Sequence, residues 1–350
     1  MRLKKVLQIT GYGTLTTVFT VTLFLVVLEI TYRWQLIEFY QPELKALNPL
    51  KPIVSGKKVL VFGDSFSADQ HSYVNLLRDS FPVYDFVNAS ISGTGIQETN
   101  LIAPDRIRAF KPEMVIYQVY LGNDLTDIQK PVNRKKISLS RNLYWLLSDK
   151  LFCLRFLNYR LAQFKYSLGM NVEVANLRAI DQFNVDSYSQ REKLFIKSNA
   201  AFISQTVLLA PQMEKVFDKY QQELMRFTNL LQEQNIPLLV VFVPHCTQVN
   251  ATYRNRFALL GADMKDSVAL STYDYPFYNR IKEKLITYPN VSVVNPLPYL
   301  GQNEQENNPL YFANDIHLTP QGQKQLGTYM CQAIKTIGWL NKSKEKQGMQ

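Results

Sequence analysis

The sequence predicts an α/β fold with three layers, α/β/α, in which helices cover both faces of an open parallel sheet. Five short runs rich in Val, Ile, Leu and Phe lack the in–out alternation of half-exposed strands, as is typical of strands buried on both faces. They are residues 59–62, 84–87, 114–119, 238–243 and 291–294. An amphipathic helix, opening near Pro211 and ending at Asn235, separates the third run from the fourth. Alternating strands and helices favour a parallel sheet that binds ligands at the carboxyl ends of its strands.

Composition limits the class of protein. With 350 residues, 46% hydrophobic and 19% charged, the chain can bury one large core, which excludes disordered and fibrous classes. The net charge of +10 favours an anionic partner such as phospholipid, acidic glycan or nucleic acid. Charge alone does not distinguish between these partners. The three cysteines have no metal-ligand spacing, and their odd number excludes a fully paired disulfide framework. They are predicted to be buried or incidental thiols.

The N-terminus predicts a single transmembrane helix. Residues 6–30 carry one charge, Glu29, and exceed the ~20 residues that a bilayer span requires. Basic residues before the span predict a cytoplasmic N-terminus, and Tyr32 and Trp34 stand where an aromatic belt would mark the outer interface. No small-x-small cleavage site follows, so an uncleaved anchor is favoured over a signal peptide.

The expected domain organisation follows from this anchor. We expect a transmembrane anchor at 1–34, a proline-containing tether at 35–56, a main domain at 57–340 and a polar tail at 341–350. A helical insertion interrupts the main domain at about 130–200. The predicted topology places the main domain on the extracytoplasmic, periplasmic side of the inner or plasma membrane.

Chemistry-bearing residues stand where ligands should bind. The first apolar run is followed by GDSF, the second by NASISGTG and the third by LGND, and NDIHLTP precedes the last predicted helix. Together these blocks supply a hydroxyl nucleophile, an imidazole base, a carboxylate and donors for an oxyanion, which are the parts that acyl transfer needs.

The four blocks resemble, in order, those of the GDSL or SGNH hydrolases, named for Ser, Gly, Asn and His in four separate blocks. The resemblance covers roughly residues 57–339 and implies a flavodoxin-like sheet and no cofactor. It implies Ser65 as nucleophile and His317 as general base. It also implies an oxyanion hole made by the backbone N–H groups of Ser65 and Gly93 with the side-chain amide of Asn123.

Each of these residues also has a structural interpretation. Ser65 would serve as a helix cap, Asn123 would close a turn, Gly93 would supply a positive φ and His317 would be a surface residue. Four such blocks in the family's order favour the catalytic interpretation. A dinucleotide-binding fingerprint is disfavoured, because Glu98 stands where its third glycine would be.

The carboxylate of the triad departs from the common family pattern. Many members place an aspartate three residues before the histidine, but that position here is Asn314, and the acid is Asp315, two before. The Asp-x-His spacing resembles the membrane-associated branch that includes alginate-type O-acetyltransferases. Residues two apart in an extended segment project to the same side, so we predict that Asp315 orients His317. The alternative is a dyad oriented by a backbone carbonyl, with Asp315 capping the last helix.

The insertion is strongly basic. Residues 130–200 hold 13 Lys or Arg and 5 Asp or Glu, a net charge of +8. Leucines at helical spacing across 143–168 predict a basic amphipathic helix. Such a helix would lie on an anionic membrane, form a lid over the site, or pack as a subdomain with a solvated basic face.

Two further expectations concern histidines. His245 follows the fourth apolar run and is predicted near the rim of the site, either as a substrate contact or as a structural loop histidine. His71, His245 and His317 show no ligand spacing with acids or cysteines, so no metal is predicted.

The sequence therefore favours a membrane-anchored extracytoplasmic serine esterase whose partners are the lipid bilayer and an acyl-ester or O-acetylated glycan or lipid substrate. One alternative is an O-acetyltransferase that modifies a cell-surface polysaccharide. Another is a non-catalytic glycan- or lipid-binding membrane component. Nucleic-acid binding through the basic insertion conflicts with the predicted topology.

Overall fold

The core of the molecule is a five-stranded parallel sheet, as predicted. The computed structural model describes residues 2–48, 56–168, 177–265 and 267–340. The strands are β1 Lys58–Phe62, β2 Asp85–Asn88, β3 Met114–Tyr120, β4 Leu238–Val243 and β5 Val291–Val294. Their order is β2-β1-β3-β4-β5, with every neighbouring pair parallel. The strand order reverses at β1, so the carboxyl ends of β1 and β3 border a crevice, and β2 ends beside β1.

Helices cover both faces of this sheet. The helices are α1 Arg2–Arg33, α2 Gln41–Leu47, α3 Tyr73–Ser80, α4 Ile96–Phe110, α5 Asp124–Ile128, α6 Leu139–Ser148, α7 Phe152–Ser167, α8 Gln190–Ser198, α9 Phe202–Val207, α10 Glu214–Gln232, α11 Cys246–Val249, α12 Ala251–Leu259, α13 Ser267–Leu270, α14 Pro276–Leu285, α15 Leu297–Asn303 and α16 Pro320–Ile337. The helix predicted from Pro211 is a 3₁₀ turn, Pro211–Met213, that leads into α10.

Alternate strand residues enter two different cores. Leu60 and Val240 join the core under α4, α10 and α14, whereas Val61 and Val241 join the core under α3 and α16. All residues of β3 and β4 are buried. Because both faces are covered, neither face of these strands selects polar side chains in alternation, which explains the apolar runs in the sequence; Gln118 of β3 is the one polar residue in the two strands.

The N-terminal helix α1 is long and apolar enough to cross a membrane. Its segment Tyr12–Arg33 has 22 residues and a mean hydropathy of 1.9, with 6% of the window buried. A membrane anchor and a signal sequence both satisfy these criteria.

The predicted tether is a packed segment in its described part. Residues 41–47 form α2, and Phe39 and Tyr40 are buried. Two carboxylates fix the segment, since Glu38 lies 3.3 Å from Arg106 of α4 and Glu43 lies 2.6 Å from Arg160 of α7. The described part of the predicted tether, residues 35–48, is thus held to the body by aromatic burial and ion pairs, and its one proline, Pro42, stands in the first turn of α2, where helices tolerate it. Residues 49–55 and the predicted tail at 341–350 lie outside the described residues.

The helix predicted across 143–168 is two helices, α6 and α7, separated by residues 149–151. Glu29 of α1 accepts hydrogen bonds from the backbone N–H groups of Phe152 and Cys153, at 3.1 and 2.8 Å, and so caps a new helix start. The basic side chains of α7 are not all solvated, since Arg155 pairs with Glu98 at 2.7 Å. Residues 169–176 of the insertion are outside the described part of the chain.

Candidate active site

A tight turn after β1 presents Ser65. Asp64 N–H donates to the side-chain oxygen of Gln118 on β3 at 3.1 Å, and Ala68 N–H donates to the Asp64 carbonyl at 2.8 Å. A Cβ on Gly63 would stand 2.6 Å from that Gln118 oxygen, so only glycine allows the turn to approach β3 so closely. The turn leaves Ser65 partly exposed between buried neighbours.

A hairpin before α16 presents the base. Phe312 N–H donates to the His317 carbonyl at 3.0 Å, and Thr319 N–H donates to the Leu310 carbonyl at 2.8 Å. The His317 ring lies against the Phe66 ring, with centroids 5.0 Å apart. This contact positions the imidazole over the nucleophile turn.

Ser65, His317 and Asp315 form one continuous hydrogen-bonded relay. His317 Nε2 lies 2.7 Å from Ser65 Oγ, and His317 Nδ1 lies 2.8 Å from Asp315 Oδ1. With Nδ1 donating to the carboxylate, Nε2 is left as an acceptor for the serine proton. The geometry is the one that a carboxylate-oriented general base requires, and it is not the backbone-oriented dyad.

The second oxygen of Asp315 is held by an arginine of the insertion. Arg178 Nε donates to Asp315 Oδ2 at 3.0 Å, and Arg178 also pairs with Asp69 at 3.1 Å. Burial alone would raise the pKa of Asp315, but the His317 imidazole and the Arg178 guanidinium together hold it well below its ordinary value. Asp315 is therefore a fixed anion beside the imidazole.

Asn314 occupies the position where many family members carry the catalytic aspartate, but here it contacts the insertion and not His317. Its side-chain oxygen accepts from Asn184 N–H at 2.8 Å, and its amide donates to the Gln182 carbonyl at 2.8 Å. Ser189 N–H donates to the Asn314 carbonyl at 3.1 Å. Asn314 thus anchors the insertion beside the catalytic hairpin.

The glycine block lies next to the nucleophile turn. Ile91 N–H donates to the Gly63 carbonyl at 3.1 Å, which ties the two blocks together. Gly93 has φ +72, in the left-handed region that favours glycine. Among the described residues, the backbone N–H groups of Ser65 and Gly93 donate to no protein acceptor. Both are available to an oxyanion.

Asn123 reaches the same place from the end of β3. Its side-chain amide donates to Asp64 Oδ2 at 2.9 Å, and the second N–H of that amide is left for a ligand. Burial raises the pKa of Asp64, against the lowering effect of hydrogen bonds from Phe66 N–H and Asn123. The Asp64 contact sets the orientation of the Asn123 amide beside Ser65.

Three residues of the insertion at the site were missed by sequence reasoning: Arg178, Arg191 and Glu192. Arg191 is half-exposed, and its guanidinium would stand 3.9 Å from a Cβ on Gly93. Glu192 is buried on α8, and burial raises its pKa to about 7, with Asp315 acting in the same direction. Nothing in the local sequence of these residues distinguishes them from the other charged side chains of the insertion.

The prediction that His245 lies at the rim is wrong. Its ring is fully buried between Tyr120 and Phe257, and Nδ1 accepts from Thr247 N–H at 3.3 Å. Burial lowers the pKa of His245 to about 3, so the ring is neutral. His245 is the N-cap of α11, and its burial there removes it from any surface that a substrate could contact.

The described residues contain no group of three or more His, Cys, Asp and Glu side chains placed to hold a metal ion. Cys153, Cys246 and Cys331 are buried free thiols.

No protein-family model and no curated protein matches the sequence. Among solved structures, an acetyl xylan esterase is similar at 16% identity and a TM-score of 0.41, over 79% of this chain and 99% of that one. A GDSL-like lipase from Bacteroides thetaiotaomicron is similar at 14% identity and a TM-score of 0.40, over 86% and 100%. An acetylxylan esterase from Geobacillus stearothermophilus is similar at 14% identity and a TM-score of 0.38, over 81% and 96%. By its own sheet order, and by the meeting of its four sequence blocks at one edge of that sheet, this chain has the architecture expected of a GDSL/SGNH hydrolase.

Proposed function

We propose that this protein is a serine esterase of the SGNH type that forms an acyl-enzyme on Ser65. The observation that carries the proposal is the relay from Ser65 Oγ through His317 to Asp315, with heavy-atom distances of 2.7 and 2.8 Å. A protein that only binds a glycan or lipid has no need of a serine activated in this way.

The geometry supports the following reaction. Ser65 Oγ attacks the ester carbonyl as His317 Nε2 takes the hydroxyl proton, and the tetrahedral oxyanion accepts from the Ser65, Gly93 and Asn123 donors. The imidazolium then gives its proton to the leaving alcohol, which leaves the acyl group on Ser65. Water attacks that ester with His317 as base, and the products are a carboxylic acid and free Ser65.

We place the site on the extracytoplasmic side of a membrane, with α1 as a single-pass anchor. The support is the exposed apolar surface of Tyr12–Arg33 and the basic residues that precede it. In this topology the site would be periplasmic and would meet esters of the cell surface.

Transfer of an acetyl group to a polysaccharide is the second candidate. Its support is the Asp-x-His spacing, which Asp315 uses in the relay. In transfer a sugar hydroxyl replaces water as the group that His317 deprotonates, so the same residues perform both reactions.

The test uses the full chain in nanodiscs, with a fluorophosphonate probe and p-nitrophenyl esters of increasing acyl length. We expect the probe to label wild type and not Ser65→Ala, and this variant to lose on the order of 10⁴- to 10⁶-fold in kcat. Added acetylated donor and sugar acceptor would give a transferred product only if the protein is a transferase. Equal labelling of the two proteins, or no ester turnover by wild type, would contradict the catalytic proposal.

A further inference from the structure

Helix α6 carries an uncovered row of leucines, which we call the leucine stripe. Its members are spaced to share one face of the helix, and each is exposed: Leu139 76%, Leu143 54%, Leu146 41% and Leu147 43%. The opposite face is buried through Asn142, Trp145 and Ser148. The apolar face of α6 therefore points away from the protein, whereas the apolar face of a surface helix normally packs against the core.

Basic side chains lie on α6 and in the segments that flank it, and we call them the basic rim. All are exposed and lie in or beside α6: Arg134, Lys135, Lys136, Arg141 and Lys150. An exposed apolar row on a helix that also carries and adjoins basic residues is typical of helices that lie in the boundary between lipid headgroups and acyl chains.

The end of α6 is fixed to the end of the membrane-span candidate. Arg33 donates to the Lys150 carbonyl at 2.8 Å, and Glu29 caps the start of α7 through Phe152 and Cys153. The leucine stripe thus ends close to where α1 would leave the bilayer.

Further apolar side chains are exposed directly after α1. Trp34 is 73% exposed, Leu36 is 61% exposed and Ile37 is 59% exposed. A tryptophan beside aliphatic residues is favoured at the membrane interface. Two separate segments, one on each side of the Arg33–Lys150 contact, therefore expose apolar side chains near the same end of α1.

We propose that α6 is an interfacial helix that lies on the bilayer spanned by α1, with the leucine stripe among acyl chains and the basic rim among anionic headgroups. The proposal rests on the anchoring role of α1 in the proposed function. A membrane fits this surface better than a protein partner does, because the cores of protein interfaces are depleted of Lys, whereas anionic lipid attracts it.

The interfacial helix would hold the active site at a set height above the lipid. Arg155 of α7 pairs with Glu98, at 2.7 Å, and Glu98 caps the helix that follows the glycine block. The membrane-facing part of the insertion is thereby tied to the block that supplies Gly93.

The experiment measures contact with lipid at single positions. Leu143→Cys is labelled with an environment-sensitive NBD fluorophore in the full chain, in nanodiscs of phosphatidylcholine and phosphatidylglycerol. A fraction of the lipids carries a nitroxide in the acyl chain. The native cysteines are buried, and the labelled wild type reports their background. Ile286→Cys is the matched control, since Ile286 is 63% exposed and precedes β5, at the edge of the sheet opposite to β2.

A third position, Leu23→Cys on α1, reports whether the anchor itself is inserted. We expect several-fold stronger nitroxide quenching at Leu143 than at Ile286, with strong quenching at Leu23. Equal quenching at Leu143 and Ile286, with Leu23 quenched, would overturn the interfacial helix and leave the anchor standing. Absence of quenching at Leu23 would overturn both the membrane anchor and the interfacial helix. The proposed catalytic function would still be tested separately, by Ser65-dependent turnover of a soluble ester.

A charge variant gives an independent readout. Leu143→Glu combined with Leu147→Glu should raise the hydrogen exchange of α6 in nanodiscs, with Ile286→Glu as the control that leaves α6 unchanged. The full chain is also tested for self-association in detergent. If it self-associates and the Leu143→Glu and Leu147→Glu changes abolish this, the leucine stripe is a protein contact and the proposal is overturned.

Discussion

Two adjacent residues, Asn314 and Asp315, divide between them the anchoring of the insertion and the orientation of the catalytic imidazole. Asp315 contacts His317, whereas the Asn314 side chain faces residues 182–184. The extended backbone of the hairpin accounts for this division, because neighbouring residues project to opposite sides.

The first residue-scale prediction follows from this division. Asp315→Asn should fold and lose on the order of 10⁴-fold in kcat, because an amide no longer fixes the tautomer that leaves Nε2 as acceptor. Asn314→Ala keeps the relay and should lose far less. Steady-state kinetics on a soluble ester compare the two, and a crippled Asn314→Ala beside an active Asp315→Asn would reverse the assignment.

The second concerns Arg178, a positioning residue that acts through Asp315. Its removal takes away a cation 3.0 Å from the carboxylate, so the protonated imidazole beside Asp315 becomes more favourable. We expect the acidic limb of the kcat/KM profile of Arg178→Ala to move to higher pH, and that of Arg178→Lys to move less. A lower melting temperature with an unmoved profile would reduce Arg178 to a structural role.

At the scale of elements, the insertion forms part of the site. Helix α8 brings Arg191 to the glycine block and buries Glu192 near Asp315 and His317. Burial raises the pKa of the Glu192 carboxyl and so favours its neutral form, although the neighbouring Arg191 acts in the opposite direction. The packing of α8 is therefore coupled to pH.

Glu192 gives the element-scale prediction. Its pKa is raised by burial from 4.5 to about 7, so the folded state binds the proton more tightly and loses stability as pH rises between these values. Glu192→Gln removes that loss, and should be more stable than wild type at pH 8 by up to roughly 3 kcal/mol and about equal at pH 4.5. Thermal melts at both pH values measure the difference. An equal gain in stability at pH 8 and pH 4.5 would mean that the titration of Glu192 does not cause the gain.

At the scale of the whole molecule, α1 and the catalytic body are joined by specific contacts. Glu29, 8% exposed, accepts from two N–H groups at the start of α7 and pairs with Arg33 at 2.6 Å. Tyr32 and Tyr40 join through their hydroxyl groups at 2.8 Å. The end of α1 is therefore part of the folded body.

The whole-molecule prediction tests this joint. Glu29→Ala should destabilise the start of α7 by about 1–2 kcal/mol, since two helix N–H groups lose their acceptor. Hydrogen exchange at Phe152 and Cys153 should quicken by roughly tenfold, with Glu29→Gln intermediate. Exchange at Val240 in β4 is the internal control, and unchanged exchange at Phe152 would show that Glu29 is dispensable to the cap.

Sequence alone predicted the parallel sheet and the blocks at its carboxyl edge. All five strands fall within a residue or two of their apolar runs, because burial on both faces imposes a composition that is visible locally. Ser65, Gly93, Asn123, Asp315 and His317 stand in motifs, and the structure brings them together, while their catalytic roles stay predictions that the experiments above address.

Only the tertiary structure decided the environment of these residues. Arg178 is 137 residues from Asp315, Glu29 is 123 residues from Phe152, and His245 is buried by rings from β3 and α12, so no local pattern predicts these contacts. The same holds for residues 35–48, where the sequence suggests a tether but the distant Phe156 packs on the buried rings of Phe39 and Tyr40. Apolar periodicity is encoded residue by residue, whereas the pairing of charges and the exposure of a helix face depend on which distant elements the fold brings into contact.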